Sequence, residues 1–326
     1  MAVNFPDWGP ERWKDLPENP LISPPHGDVV GDPQVLLPGE HDDMWHMFAH
    51  GKGYIYHFVS TDGVRWELAG EWNWEASPCF LMRWEEGWLL FYGRVEGIGG
   101  TAVVSIVVRT SEDLVNWSDP AELLRPELDW ELEGPSRWRE VRNPCVVRIS
   151  AGSFRLYYSG GTVLLEDTGY EEPKYISFAT APSPLGPYNK LGYPVIGPSL
   201  DVPYRNLGAG AIKVYRRGDI YIGFNNGIYR DEEGRSRSAI CLVGSEDGIR
   251  WEDAPFNPII PPTKSWKGAF VYQLDAKFVK EDGEDGKEKI LLYYNARDGW
   301  REGIERIGCS IARFARILSQ NFGGTG

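Results

Sequence analysis

Four acidic side chains stand where a chain of short strands would bring them to a common end. Asp32 and Asp275 each stand at the head of a short run, Asp32-Pro33-Gln34-Val35 and Asp275-Ala276-Lys277-Phe278; Glu140 lies three residues before Asn143; and Glu172 belongs to the loop Gly169-Tyr170-Glu171-Glu172-Pro173. Two such carboxyl groups facing each other are the minimal machinery for cleaving a glycosidic bond: one protonates the leaving oxygen while the other activates water or attacks the sugar. Three of them have a structural alternative. Asp32 can cap a turn before proline, Glu172 can be a solvated loop charge, and Asp275 can pair with a base such as Arg297, because a buried carboxylate is costly unless paired, hydrogen-bonded or metal-bound. Around the acids, His50, Arg94, Glu96, Asn225, Asn226, Arg297 and Asp298 fall at strand ends, where polar side chains can hold sugar hydroxyls. Trp74 and Trp138 approach the same end and can stack on a sugar ring. Among His46, His50 and His57 only His50 sits at the end of its strand, since alternate residues of a strand face opposite ways, and no zinc site is expected.

These residues converge only if the elements carrying them do. Helical periodicity is nearly absent, whereas short β-branched and aromatic runs recur between Gly, Pro and Asp clusters. Five aromatic-rich strands follow one another: Trp45-His46-Met47-Phe48, Trp88 to Tyr92, Phe154 to Tyr158, Tyr221-Ile222-Gly223-Phe224 and Leu291 to Tyr294. Each is preceded by an apolar run, and from the second to the fifth these runs are spaced 66, 67 and 65 residues apart, counted at Pro78, Pro144, Ala211 and Ala276. A third element, Ser60-Thr61-Asp62-Gly63-Val64-Arg65-Trp66, returns as Ser245-Glu246-Asp247-Gly248-Ile249-Arg250-Trp251 and, more loosely, from Thr110 to Trp117 and from Ala181 to Tyr188. Its Asp-Gly step suits a tight connection between the outer two strands of a unit. Four strands repeated five times about an axis make an all-β, five-bladed β-propeller, one domain with blades near 27–70, 71–125, 137–198, 204–262 and 268–318. The segment 10–16, around Arg12-Trp13-Lys14, is expected to supply the outermost strand of the last blade and close the ring. The mouth of the axis is then lined by the first residues of each innermost strand and by the loops between second and third strands.

At that mouth the chain, from about residue 30 to residue 315, resembles the clan of glycoside hydrolase families 43, 32 and 68. The clan carries an Asp at the start of blade one, an Ala-Pro-like step in blade two, an Asp-Pro in blade three and a Glu in blade four; here stand Asp32-Pro33, Ser77-Pro78, Arg142-Asn143-Pro144 and Gly208-Ala209-Gly210. The resemblance implies that Asp32 is the general base of an inverting reaction, as in family 43, or the nucleophile of a retaining one, as in families 32 and 68. Asn143 keeps the hydrogen bonding of the third-blade position without its charge. With no acid at Gly208 to Ala211, the proton donor is sought among Glu172, Glu140 and Asp275. Three functions follow: a family 43-like glycosidase releasing terminal sugars from short oligosaccharides; a phosphorylase of the family 130 type, with Arg137, Arg139 and Arg142 binding the anion; and a sugar-binding propeller without catalysis. No cofactor is required, although some relatives carry a structural calcium at the axis.

Composition sets the remaining bounds. With 42% hydrophobic and 25% charged residues the chain can bury a full core, and its 14 Trp and 16 Tyr serve packing and pocket walls alike. A net charge of −13 disfavours nucleic acid or an anionic membrane as partner and leaves a small carbohydrate as the expected ligand. Cys79, Cys145, Cys241 and Cys309 lie singly within apolar runs and read as buried thiols. Charged residues and prolines from Met1 to Asp15 do not suit a signal peptide, which points to the cytoplasm.

Overall fold

The computed structural model describes residues 3–97, 102–135, 138–280 and 287–315. Among them the chain is all-β, and its only helical pieces are four single 3-10 turns. The strands pair as antiparallel meanders of four. The first group comprises β2 (Gly31–Leu36), β3 (Trp45–His50), β4 (Gly53–Ser60) and the leading half of β5 (Glu67–Trp84). The trailing half of β5 opens the second group and is followed by β6 (Gly87–Glu96), β7 (Val103–Ser111) and β8 (Ala121–Leu124). The third contains β9 (Arg139–Ser150), β10 (Ser153–Leu165), β11 (Tyr170–Ala181) and β12 (Asn189–Lys190), and the fourth β13 (Ile212–Arg217), β14 (Ile220–Arg230), β15 (Ser236–Ser245) and β16 (Glu252–Asp253). The fifth is assembled from both ends of the described chain: β17 (Phe270–Lys280), β18 (Lys287–Arg297) and β19 (Glu305–Ala315) pair in order, and β1 (Lys14–Asp15) completes them against Ser310 and Ile311. Because β5 runs through two groups and short parallel bridges join β7 to β9 and β15 to β17, the hydrogen-bonded ladders merge into two sheets of eleven and eight strands.

Packing follows the groups more closely than the ladders do. Met47 and Tyr56 of the first group meet Leu291, Tyr293 and Ile307 of the fifth, while Phe48 and Ile55 on the opposite face meet Leu90, Tyr92 and Val107 of the second. The second packs on the third, the third on the fourth, and the fourth on the fifth in the same manner. The alternation of strand side chains explains this: each aromatic strand offers one face forward and the other back. Trp8 and Trp13 join the last of these clusters, where Trp8 stacks on Phe224 at a centroid distance of 6.0 Å.

The recurring Ser-Xaa-Asp element connects third and fourth strands by side-chain chemistry. Ser60 Oγ accepts the Gly63 N–H, and Asp62 Oδ1 accepts those of Val64 and Arg65. Asp113 and Asp247 repeat the pattern, and in the second group Leu114 adopts the left-handed backbone (φ 62°) that Gly63 and Gly248 adopt elsewhere. The four cysteines are buried and unpaired. No helix among the described residues is long and apolar enough to cross a membrane.

Candidate active site

One backbone irregularity recurs and positions the site. The pairing of an innermost strand with its neighbour shifts register between Gly31 and Gln34, between Ala76 and Cys79, between Arg142 and Cys145, and between Val271 and Leu274. A bulge of this kind sets two residues against one, bends the strand and re-aims a side chain. The residues so placed are Asp32, Ser77, Asn143 and Tyr272; Gly210 stands at the matching point of the fourth group, before β13. Asp32, Asn143 and Gly210 share the left-handed backbone, with φ of 51°, 58° and 61°. A side chain at Gly210 is sterically barred, since its Cβ would come within 2.0 Å of the Asn226 carbonyl oxygen. The fourth group therefore contributes no acid to this ring of positions.

On one side of the ring stands a cluster around Asp32. Its Oδ2 lies 3.1 Å from His50 Nδ1, which also lies 3.1 Å from the Gly31 carbonyl, and its N–H donates to Asn295 Oδ1 at 3.1 Å. The Asn295 amide then donates to Glu305 Oε1 at 2.5 Å. A Cβ at Gly31 would meet Asn295 Nδ2 and Glu305 Oε1 at 2.6 Å, so a larger residue there would displace both side chains. Burial alone would discharge His50, but the neighbouring carboxylates Asp32 and Glu305 prevail and raise its pKa. Glu305 is pushed up to about 7 by burial and by Asp32, against the pull of His50 and Arg297.

The other side comes from the third group. Arg142 Nε lies 3.2 Å from Glu140 Oε1, and its guanidinium donates to the Glu171 carbonyl at 3.4 Å. Burial opposes the Arg142 charge, yet Glu140, Glu172, Asp32 and Glu171 together secure it. Burial also raises Glu140, partly offset by Arg142. Glu172 accepts the Tyr272 hydroxyl at 3.2 Å and is pushed up to about 7, by burial first, with Arg142 opposing and Glu140 and Asp32 adding to the rise. Glu172 is partly buried and keeps some contact with solvent.

The structure thus brings Asp32, His50, Glu140, Arg142 and Glu172 together; Asn143 stands at its bulge beside Arg142, but its Oδ1 accepts no hydrogen bond from the described residues, so the expected hydrogen bonding of that position is not kept. Other sequence candidates go elsewhere. Asp275 lies two residues beyond the bulge of β17 and is taken up by the Val35 N–H (2.8 Å), the Tyr215 hydroxyl (2.9 Å) and Lys277 (3.2 Å), so its carboxylate knits three innermost strands. Trp74 is stacked between Trp72 and Tyr92 with Arg109 over its ring, an inter-strand packing role. Asn225 clamps the Ala209 and Ala211 carbonyls, and Asn226 accepts the Ala211 N–H. Asp298 shapes its own loop through Ile304 and Arg306. Arg297, which is buried, donates to the Tyr170 hydroxyl at 3.2 Å and lies 3.8 Å from Asp28 rather than pairing with Asp275. Arg94 and Glu96 pair with each other, and Trp138 is exposed just before β9. Arg137 lies outside the described residues, and Arg139 is exposed.

Sequence reasoning overlooked Tyr272, Glu305, Asn295 and Lys213. Aligning Ala276 with Ala211 and Pro144 set the fifth strand three residues late and hid Tyr272 and Gln273 behind Asp275. Glu305 is the first residue of β19, and the available signal was an acid two residues before the apolar Ile307-Gly308-Cys309. Lys213 reaches across the centre, its ammonium donating to the Cys79 and Pro144 carbonyls at 3.3 and 3.4 Å. Among the described residues no three His, Cys, Asp or Glu side chains form a metal-binding group.

Neither a protein-family model nor a curated protein matches the sequence. Solved structures do match in fold. An N-acetylgalactosamine deacetylase from F. plautii, in complex with blood group B trisaccharide, superposes with a TM-score of 0.65 at 14% identity, over 93% of this chain and 96% of its own. A structure reported for the GH130 family of mannoside phosphorylases, as containing glycoside hydrolases that target β-1,2 mannosidic linkages in Candida mannan, gives 0.63 at 13% identity over 95% and 96%. The catalytic domain of the Coprinopsis cinerea GH62 α-L-arabinofuranosidase gives 0.61 at 15% identity over 92% and 96%. The chain therefore resembles propeller-type glycoside hydrolases in fold.

Proposed function

We propose that this fold, shared with propeller-type glycoside hydrolases, serves the same class of chemistry here: a five-bladed propeller that releases sugars from the ends of short oligosaccharides. The observation that carries the reading is the pairing of Asp32 with Glu172, on different groups, within each other's electrostatic reach and with Arg142 beside them. Asp32 acts as base or nucleophile; its His50 and Asn295 partners fix its direction. Glu172, held up to about 7, keeps a proton at neutral pH and delivers it to the leaving oxygen. Arg142 restrains that rise, so the acid is not pushed beyond use.

Water is favoured over phosphate as the acceptor. Arg142 already faces Glu140, Glu172, Asp32 and Glu171, and an incoming phosphate dianion would meet those carboxylates before it met a free guanidinium. A small neutral saccharide fits the acidic chain, and an intracellular setting suits such short substrates. The test is a screen of chromogenic arabinofuranosides, xylosides, fructosides, galactosides and mannosides, with and without phosphate, against wild type, Asp32→Asn and Glu172→Gln. Turnover independent of phosphate is expected, lost in Asp32→Asn with every leaving group and in Glu172→Gln with leaving groups that need protonation. Tight sugar binding with no product from any of them would mark a binding protein instead.

A further inference from the structure

We propose that Tyr272 is a positioning residue that fixes which oxygen of Glu172 carries the proton delivered to the leaving group; this rests on Glu172 being the acid of the glycosidase reading. Tyr272 occupies, in the fifth group, the bulge position that Asp32 and Asn143 occupy in the first and third. Its ring is stacked on Phe270, with centroids 5.5 Å apart and planes 4° from parallel, so the direction of the phenol is set by packing. The hydroxyl ends 3.2 Å from Glu172 Oε1.

That hydroxyl is a constant donor. Burial and the carboxylates of Glu172 and Glu305 drive its pKa well above the ordinary phenol value, with Arg297 opposing, so it never gives up its proton in the working range. Oε1 is therefore held as an acceptor, and the acid proton of Glu172 is left to Oε2. Without Tyr272, either oxygen could be protonated and the carboxyl would be free to turn. The same bond favours the ionised form of Glu172, against burial, Glu140 and Asp32, which favour the neutral one, and alongside Arg142, which does not. Removing it must therefore raise the pKa of Glu172.

The experiment is a carbon-13 NMR titration of full-length protein labelled at the glutamate side-chain carboxyls, with Glu172→Gln identifying the resonance. In Tyr272→Phe, which keeps the stack on Phe270, the Glu172 midpoint is expected to move up by about half to one pH unit, the worth of one hydrogen bond to a carboxylate. An unchanged or lowered midpoint overturns the proposal. With a substrate from the glycoside screen, Tyr272→Phe should lower kcat about 10-fold or more for poor leaving groups, spare activated aryl leaving groups, and leave KM unchanged. An equal loss for both kinds of leaving group also overturns it. If Glu172→Gln proves harmless to turnover, the glycosidase reading fails on its own, and the titration still reports whether Tyr272 holds Glu172.

Discussion

A carboxyl group does different work according to its surroundings, and the acids of this well are sorted by what touches them. Asp32 is anchored by His50 and, through its N–H, by the amide oxygen of Asn295, whereas the Glu172 carboxyl faces the Tyr272 hydroxyl and the nearby Arg142 charge. Replacing Asp32 with Asn should leave folding intact and lower turnover by roughly a thousand-fold or more, read in initial rates on whichever glycoside the screen selects. Since Glu172 must be protonated to act, activity should fall as pH rises through about 7, and Glu172→Gln should abolish that limb together with most of the rate. Glu305 makes a separate prediction about stability. Its pKa in the folded protein, about 7, lies above the ordinary 4.5, so folding favours its protonated form; that contribution is present at acid pH and disappears as pH rises through 7. Glu305→Gln cannot lose it, and should therefore gain stability relative to wild type between pH 5 and pH 8, by at most roughly 3 kcal/mol. Denaturant melts at the two ends of that range decide the matter, and a constant difference between the proteins would sink it.

At the scale of elements, the segment before Asn19 makes the fifth group complete. Asp15 accepts the hydroxyl of Tyr294 and lies 2.6 Å from Lys267, and Trp8 and Trp13 are buried against Phe224, Phe278 and Phe314. Asn19 brackets Cys309, its amide donating to the carbonyl and accepting the N–H, both at 2.8 Å; Asn257 does the same for Leu242 at the fourth group. Asn19 and Asn257, each followed by a proline, thus do the same job on successive groups. Removing residues up to Leu16 would expose two tryptophans' worth of apolar surface and the edge of β19, and should lower the thermal midpoint by about 5 to 10 °C and promote association. Differential scanning calorimetry of the truncated chain would show an unaltered midpoint if the segment were an ornament.

For the whole molecule, the centre is where the innermost strands face one another, each with an edge left open along most of its described length. A carbonyl on such an edge needs a donor, and Lys213 gives one to Cys79 and one to Pro144 while lying 4.9 Å from the Phe80 ring. The ammonium does for three groups what a bound cation would do. Lys213→Met should strand both carbonyls and destabilise the fold by about 1 to 3 kcal/mol, whereas a chelator should leave the melting of wild type unchanged. A midpoint that drops on chelation would mean that the axis relies on a metal after all.

Local pattern settled what depends on neighbours in sequence. Strand periodicity, the five aromatic runs, the Ser-Xaa-Asp turns and the buried cysteines were all legible, because each rests on alternation or on hydrogen bonds spanning a few residues. Asp32 could be singled out because its neighbours matched a known pattern, and Glu172 because the sequence reads as a loop at the right end, although the structure pairs it with Val163 inside β11. Which acids share a well is another matter, since it is decided by register across strands far apart in sequence. A three-residue misalignment exchanged Tyr272 for Asp275, and the bulge that corrects it is visible only in the pairing of β17 with β18. Likewise, local sequence does not tell that Glu305 accepts from Asn295, whose amide oxygen takes the Asp32 N–H, or that the backbone of Asn226 leaves no room for an acid at Gly210. Burial and the summed field of distant charges raise Glu172 and Glu305 to about 7, and those exist only once the groups have packed against one another.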